Sequence, residues 1–134
     1  MIVVMTTISE DPIRRVFSHG DVIDITTTGR RTGQPRRIEI VYHVIDGRIY
    51  ISGMPRADRR RSWLANLERR PQFTFHIKRG LRTDLPATAR IVEDPDERRR
   101  VMRHIIETAW HGQNLEAMVA HSPLIEVTLN AAAA

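Results

Sequence analysis

The chain of 134 residues contains no cysteine, a single lysine (Lys78) and few aromatic residues, which make up 5% of it. Without cysteine, the chain cannot form disulfides, thiolate nucleophiles or cysteine-ligated zinc and iron–sulfur sites. The apolar segment Ile2–Met5 is far shorter than the roughly 20 residues that cross a bilayer, and no cationic segment precedes it. We therefore expect a cytoplasmic protein with no transmembrane segment.

The composition indicates a single globular domain. Apolar residues make up 41% of the chain, and a domain of this size buries roughly 68% of the surface that its unfolded chain exposes. We expect the domain to span residues 1–134, with residues 130–134 as a disordered tail. The net charge of +5 comes almost entirely from arginine, which suits bidentate contacts to phosphate and carboxylate. This basic charge leaves nucleic acid open as a partner.

Alternating apolar residues and turn signals predict the order of the secondary structure. Six strands are predicted, at Val22–Thr28, Arg36–Ile45, Arg48–Ser52, Gln72–Lys78, Leu85–Val92 and Leu124–Leu129. Capping residues and helical apolar spacing predict three or four helices, at about Ser9–His19, Asp58–Arg70, Asp94–Trp110 and Leu115–Ala120. Short antiparallel strands interrupted by helices indicate an α+β fold, a small barrel with helices packed at its openings.

The turn at Gly29–Pro35 is the most informative segment. Its glycines let the backbone approach a ligand closely, and Arg30, Arg31, Arg36 and Arg37 bring four cations to one strand–turn–strand unit. An anion bound there would meet both backbone amides and guanidinium groups. An ordinary hairpin with solvated arginines is the alternative interpretation.

A second basic segment follows Asp58, which we expect to cap a helix. Arg59, Arg60 and Arg61 then place three positive charges in the first helical turn, where the helix dipole is already positive. Such an arrangement is favourable beside a bound anion, since free amides at helix N-termini bind phosphate. We therefore expect this helix end and the Gly29 turn to form two walls of one pocket, the alternative being three arginines extended into water.

Several other residues could contribute to this pocket, although each has an ordinary structural explanation. Trp63 could flank a planar ring and Asn66 could orient a polar edge, but a tryptophan beside Leu64 and Leu67 is more typical of a core. Tyr42 shares a face with Ile38 and Ile40 and is expected in the core, which leaves it a weak catalytic candidate.

The remaining polar residues show no catalytic signature. The histidines have no metal-ligand spacing; His43 and His76 are expected to be exposed on strands, and His104 and His111 to share one helix face. Arg98 and Arg99 are expected on a solvent face. Walker, G-x-G-x-x-G and G-x-S-x-G patterns are absent. We predict no metal site.

Two segments resemble a known family: TTTGRRTGQPR at Thr26–Arg36 and SWLANLERRPQFTFHIK at Ser62–Lys78. They are similar to the deazaflavin-dependent nitroreductase and quinone reductase family, whose members have a split β-barrel and use coenzyme F420. The resemblance implies that the cofactor's phosphate and acidic tail are held by Arg30, Arg31, Thr32, Gly33, Gln34, Pro35 and Arg36. It also implies that the rest of the cofactor is lined by Ser52, Gly53, Met54, Ser62, Trp63, Leu64 and Asn66.

The chain departs from this family in two places. Where better-known members carry a lysine and glycines after the second hairpin strand, this chain has Gly53–Arg56, and Arg56 or Arg59 is the candidate replacement for that charge. Near the C-terminus, Trp110 and His111 stand where those members use tyrosines at the substrate side. The substrate can therefore differ from theirs.

The resemblance implies an oxidoreductase that moves a hydride from reduced deazaflavin to a small electron-poor acceptor such as a quinone or nitro compound. A barrel that binds FMN, or heme on a histidine, is a related alternative. A basic nucleic-acid-binding domain and a non-catalytic ligand carrier are alternatives from other functional classes. Phe73 and Phe75 fall on an apolar face rather than a stacking surface, so we do not expect nucleic acid as a partner. Family analogy also allows for a homodimer.

Overall fold

The computed structural model describes residues 20–58, 60–80 and 82–130. The helix expected at Ser9–His19 and the residues 131–134 of the expected tail lie outside these ranges. Within them the chain forms six strands, β1 to β6, at Asp21–Thr28, Pro35–Ile45, Arg48–Ser52, Gln72–Ile77, Thr83–Ile91 and Leu124–Leu129. Three helices, α1 to α3, span Ser62–Arg69, Pro95–Thr108 and Leu115–His121. The predicted elements in these ranges are confirmed, with ends that shift by a few residues.

The six strands close into an antiparallel barrel with the order β1-β2-β3-β6-β5-β4, in which β4 pairs back onto β1. The long β1–β2 hairpin pairs Thr28 with Pro35 at its tip and Asp21 with Tyr42 at its base. Only the last part of β2, from Tyr42 to Ile45, also pairs with β3. The tip of this hairpin therefore extends beyond the β2–β3 ladder, which is consistent with the expected split barrel.

The barrel interior forms the main hydrophobic core. Alternation on β1 and β4 turns Ile23, Ile25 and Phe75 inward, where each is almost completely buried. Trp63, Leu64 and Leu67 of α1 belong to the same cluster; the last two contribute an apolar stripe with helical spacing. Helix α1 thus packs against the barrel end that carries the β1–β2 turn, and this packing positions its N-terminus beside that turn.

A second core lies between the outer face of the barrel and helices α2 and α3. Tyr50 and Leu124 point outward from their strands and pack with Met102, Ile105 and Met118 of the helices. Helix α2 begins as predicted, because Asp94 accepts a hydrogen bond from the Glu97 amide and Pro95 occupies its first turn.

The start of α1 corrects one prediction. The helix begins at Ser62 with Arg61 as its N-cap, and no side chain caps it, so Asp58 does not have the expected role. Asp58 instead forms an exposed ion pair with Arg56 at 3.2 Å. Arg60 and Arg61 consequently precede the helix rather than lie in its first turn.

The histidine predictions were also wrong for two strand residues. His43 and His76 are both buried. The His43 ring packs edge-on against Trp110 at a centroid distance of 4.9 Å, and His76 hydrogen-bonds Thr26 at 2.7 Å and Asp84 at 2.8 Å. Strand alternation could not reveal this burial, because long-range neighbours cover both side chains. His111 lies beyond the end of α2 and therefore does not share a helix face with His104.

Arg98 and Arg99 were both expected on a solvent face, but Arg98 is held by protein groups. Arg98 is only partly exposed, and its guanidinium donates to the carbonyl oxygens of Val92 at 2.9 Å, Val119 at 2.8 Å and Ser122 at 2.5 Å. It therefore fastens the end of α3 to the start of α2, and the expected solvent-facing position is wrong for Arg98. Arg99 forms a more exposed ion pair with Glu116.

In the part of the chain that the structure describes, no helix has the length and apolarity that a membrane crossing requires.

The burial of His43 makes the stability of the fold depend on pH. Removal from water lowers its pKa from 6.5 to about 4, and the nearby His104 adds to this effect. Its Nε2 atom has no hydrogen-bond partner among the described residues. Since the folded-state pKa lies below that of the unfolded chain, the unfolded chain takes up the proton first as the pH falls below about 6.5.

Lowering the pH from 7.5 to 5.0 should therefore destabilise the wild type by about 2 kcal/mol more than a His43→Leu variant. Urea unfolding at both pH values measures this difference. His111→Gln, a change at an exposed histidine, should behave like the wild type. An equal pH dependence in wild type and His43→Leu would contradict the burial of a neutral His43.

Candidate functional site

The β1–β2 turn is held in one conformation by its own hydrogen bonds. The Gly29 amide donates to the Gln34 carbonyl and the Gly33 amide donates to the Gly29 carbonyl, both at 2.8 Å. The Gln34 amide donates to Thr32 Oγ1 at 3.1 Å. Gly33 has a φ of +74°, a left-handed conformation that favours glycine. The turn is therefore preorganised rather than free to adapt to a ligand.

Asn66 joins this turn to α1. Its Oδ1 atom accepts from the Arg30 amide at 3.1 Å and from Arg30 Nη1 at 3.0 Å, while its Nδ2 atom donates to Thr27 Oγ1 at 3.0 Å. Asn66 is only 3% exposed; its bond to Thr27 is buried and its bonds to Arg30 are partly buried, so their loss would leave polar groups unsatisfied. Asn66 is thus a structural link between helix and turn, not a solvated helix residue.

A cavity of about 370 Å³ lies between the turn and the first turn of α1. We call it the turn cavity. Its lining combines polar and cationic side chains on the turn with apolar side chains from β2 and α1, and consists of Thr27, Gly29, Arg30, Arg31, Thr32, Arg36, Ile38, Ser62, Trp63 and Asn66. The prediction paired the Gly29 turn with Arg59–Asn66, and the structure brings only the Ser62–Asn66 part of that segment to the turn cavity. Arg60 and Arg61, which were expected to form the second wall, line a different cavity instead.

The turn cavity is strongly cationic. Arg31 and Arg36 are exposed at its rim and form no ion pair with any residue that the structure describes. Many other arginines do have carboxylate partners, such as Arg37 with Asp24 and Arg90 with Glu97. An uncompensated pair of guanidinium groups beside a preorganised turn fits a phosphate or carboxylate group.

The structure changes how such an anion would be held. The amides of Gly29, Arg30, Gly33 and Gln34 already donate to acceptors within the protein. The expected cradle of backbone amides is therefore largely occupied. Guanidinium groups, rather than amides, provide most of the attraction that the described residues offer to an anion at this position.

Some predicted site residues lie elsewhere. Ser52 is buried and its hydroxyl donates to the Pro123 carbonyl at 2.6 Å, on the far side of α1 from the turn. Gly53 lies beside the Arg61 guanidinium, Met54 is exposed, and Leu64 lines a different cavity. Arg59 falls outside the described residues. Gly33, Gln34 and Pro35 belong to the turn or its end but do not line the turn cavity.

Tyr42 is a core residue, as predicted. Its ring meets Phe75 edge-on at 5.4 Å, and burial raises its pKa to about 12, with a smaller effect from Asp21. It does not line the turn cavity. This position gives no support to a catalytic role.

Two lining residues of the turn cavity were not predicted, Thr27 and Ile38. Strand alternation could have indicated both, because Thr27 follows Ile23 and Ile25 on the inward face and Ile38 pairs directly with Ile25. The hydrogen bonds that join Thr26, His76 and Asp84 on the outer face of the barrel were also not predicted. The bond to His76 lowers the pKa of Asp84, but none of the three residues lines the turn cavity, so they serve the β1–β4–β5 ladder. Residues 20–58, 60–80 and 82–130 contain no cluster of His, Asp and Glu that could hold a metal ion.

An Asn66→Leu variant tests the link between helix and turn. It removes three hydrogen bonds and leaves the Arg30 amide and Thr27 hydroxyl unpaired, so we expect a loss of about 2–3 kcal/mol in unfolding free energy by urea denaturation. Asn66→Asp keeps the acceptor for Arg30 and should lose less than half as much. Equal losses in the two variants would show that packing, rather than these hydrogen bonds, makes Asn66 important.

Comparisons with known proteins identify the family and the fold of the chain. The family model for F420H(2)-dependent quinone reductase matches residues 3–129, whereas no curated protein sequence matches the chain. A conserved hypothetical protein of Mycobacterium tuberculosis is similar in structure, with a TM-score of 0.72 and 22% identity over 91% of this chain and 81% of that one. An F420-H2 dependent reductase gives a TM-score of 0.59 and 20% identity over 80% and 93% of the two chains.

A third similar structure, a putative pyridoxamine 5'-phosphate oxidase of Listeria innocua, has a TM-score of 0.64 and 14% identity over 90% of this chain and 93% of that one. At these identities the solved structures establish the fold alone. The family match covers nearly the whole chain and includes both halves of the turn cavity. The chain belongs to the F420H(2)-dependent quinone reductase family and is an oxidoreductase.

Proposed function

We propose that the chain binds coenzyme F420 with its phosphate and acidic tail at the turn cavity and reduces an electron-poor acceptor such as a quinone or a nitro compound. The observation that carries this proposal is the position of Arg31 and Arg36, which lack carboxylate partners among the described residues and face a preorganised turn. Reduced F420 supplies a hydride when bound, so the protein needs no catalytic dyad of its own.

The described residues fit the anionic end of this cofactor. Arg31 and Arg36 provide charge for a phosphate, and Arg30 is held by Asn66 so that its backbone cannot move away. Trp63 and Ile38 add an apolar wall next to these charges. The protein's part in the reaction is therefore to bind and orient the cofactor through contacts remote from the reacting ring.

FMN also carries a phosphate and is the alternative ligand for the same cavity. The family match favours F420, because the family is named for the reduced deazaflavin. Heme fits less well, since buried His43 and His76 both pack against protein groups and line no cavity among the described residues.

A homodimer is part of this proposal as a prediction from family analogy. It is supported by the tip of the β1–β2 hairpin, where β2 residues before Tyr42 pair with β1 and with no other strand in the described part of the chain. Strand edges of this kind are sites where a second chain can associate.

Binding of F420, followed by cofactor fluorescence at low ionic strength, tests the proposed site. Arg31→Gln and Arg36→Gln should each weaken binding by about 1–3 kcal/mol, because each removes one charge-assisted contact. Arg103→Gln makes the same charge change on the exposed face of α2, away from the cavities, and should bind as the wild type does.

An unchanged F420 affinity in the Arg31→Gln/Arg36→Gln double variant would contradict the proposal. FMN should bind the wild type more weakly than F420, and a preference for FMN would favour the alternative cofactor.

A further inference from the structure

A second cavity lies on the opposite side of α1 from the turn. It has a volume of about 440 Å³ and is bounded by the β3–α1 loop, the start of α2 and the α3–β6 junction. Four arginines line it, Arg56, Arg60, Arg61 and Arg98, and we call it the arginine cavity. Glu93 is the single carboxylate among its described lining residues. The cavity therefore presents an excess of positive charge to any ligand.

Arg98 is a fixed cation in the wall of the arginine cavity. Its guanidinium is held by backbone carbonyl oxygens and forms no ion pair with the described residues. Burial lowers its pKa, with no acidic neighbour acting in the opposite direction. Its charge is thus balanced only by carbonyl dipoles, and an anionic group entering the cavity would improve that balance.

Arg61 is positioned by a glycine. A Cβ atom at Gly53 would lie 3.1 Å from Arg61 Nη2 and 3.3 Å from Arg61 Cζ. The absence of a side chain at Gly53 therefore lets this guanidinium lie against the loop, at the entrance between the loop and Pro123. This close approach gives Gly53 a role other than the one that the family resemblance implies.

Arg56 and Arg60 are exposed at the rim, where they form ion pairs with Asp58 and Glu68. Exposed ion pairs of this kind contribute little to stability. Both guanidinium groups can therefore exchange their present partners for an anionic ligand. Leu64, Ile91 and Leu124 supply apolar surface in the same cavity, which suits an organic body rather than a small inorganic ion.

A third, smaller cavity lies between the arginine cavity and the turn cavity. It has a volume of about 210 Å³ and is lined by Arg56, Arg60, Arg61 and Ser62. It shares Ser62 with the turn cavity and its three arginines with the arginine cavity. The three cavities therefore follow one another around the N-terminus of α1, so ligands bound in the outer two would approach each other there.

We propose that the arginine cavity is the acceptor site and that it selects electron-poor acceptors carrying a carboxylate, sulfonate or phosphate group. This inference rests on the proposed function for the identity of the reductant. An o-quinone would take up one hydride from reduced deazaflavin and one proton from water to become the hydroquinone, and the deazaflavin would be left oxidised. The guanidinium groups bind the anionic substituent and take no part in this transfer.

Two quinones with the same ring system test the selection, 1,2-naphthoquinone and 1,2-naphthoquinone-4-sulfonate. Comparing each variant with the wild type for each quinone cancels their different intrinsic reactivities. In Arg56→Gln/Arg61→Gln, kcat/KM should fall about tenfold or more for the sulfonate, through KM, and less than twofold for the neutral quinone. Arg103→Gln should change neither value, and Arg61→Lys should retain part of the preference because it keeps the charge.

A binding measurement without cofactor keeps this test independent of the proposed function. Isothermal titration with 2-naphthalenesulfonate, a redox-inert anion, should show saturable binding to the wild type and about tenfold weaker binding to the double variant. Equal binding to both proteins, or no saturable binding, would overturn the anionic selectivity. Equal losses of kcat/KM for the two quinones would overturn it as well.

The cofactor's own acidic tail is the other anion that could reach these arginines. F420 affinity should be the same in the wild type and in Arg56→Gln/Arg61→Gln if the cavity serves the acceptor. Weaker F420 binding in that variant would assign the arginines to the cofactor tail and overturn the acceptor site. A wild type that binds no F420 and reduces neither quinone would instead refute the proposed function. The titration with 2-naphthalenesulfonate would still test whether the arginine cavity binds anions.

Discussion

The hydrogen bonds of Asn66 are the constraint on which the turn cavity depends. One buried amide group joins α1 to the β1–β2 turn by accepting from Arg30 and donating to Thr27. Because α1 is itself anchored in the barrel by Leu64 and Leu67, this side chain fixes α1 relative to the turn, which the β1–β2 pairing already joins to the barrel. A longer hydrogen bond from Arg30 Nη1 to the Ser62 carbonyl oxygen adds to this link. The barrel packing thereby fixes the separation between the cationic turn and the wall formed by Ser62 and Trp63. Such preorganisation reduces the entropy that a ligand must lose on binding.

The described arginines differ in whether a carboxylate lies beside them. Around the rest of the barrel, guanidinium groups such as those of Arg37 and Arg90 form ion pairs across neighbouring strands or with helix residues. Beside the two large cavities that flank α1, Arg31, Arg36 and Arg98 have no carboxylate partner among the described residues. A high arginine content alone therefore says little about binding, and the proposed sites rest on uncompensated charge at a cavity. We propose that one side of α1 binds the cofactor and that the other binds the acceptor.

Much of the fold could be predicted from local pattern, whereas the details of the site could not. The alternation of Ile23 with Ile25 and of Phe73 with Phe75 specifies strand faces that are the same in the structure. The cap at Asp94 is also local and was predicted. The start of α1, the burial of His43 and the carbonyl contacts of Arg98 depend on residues far away in sequence, so no nearby pattern reveals them. Charge and family resemblance predicted that the Gly29 turn faces Arg59–Asn66, but Arg60 and Arg61 do not line the turn cavity and the role of Asn66 required the structure.

The central claim is that the guanidinium groups of Arg31 and Arg36 recognise the phosphate and acidic tail of F420, rather than its ring. The most direct measurement compares F420 with a truncated deazaflavin that keeps the ring and ribityl chain but lacks the phosphate and tail. If the claim holds, truncation should weaken binding to the wild type by about tenfold or more, and the Arg31→Gln/Arg36→Gln variant should bind the two molecules with similar affinity. If the substitutions weaken the binding of both molecules by the same factor, the arginines do not recognise the phosphate, which would contradict the proposed role of the turn cavity.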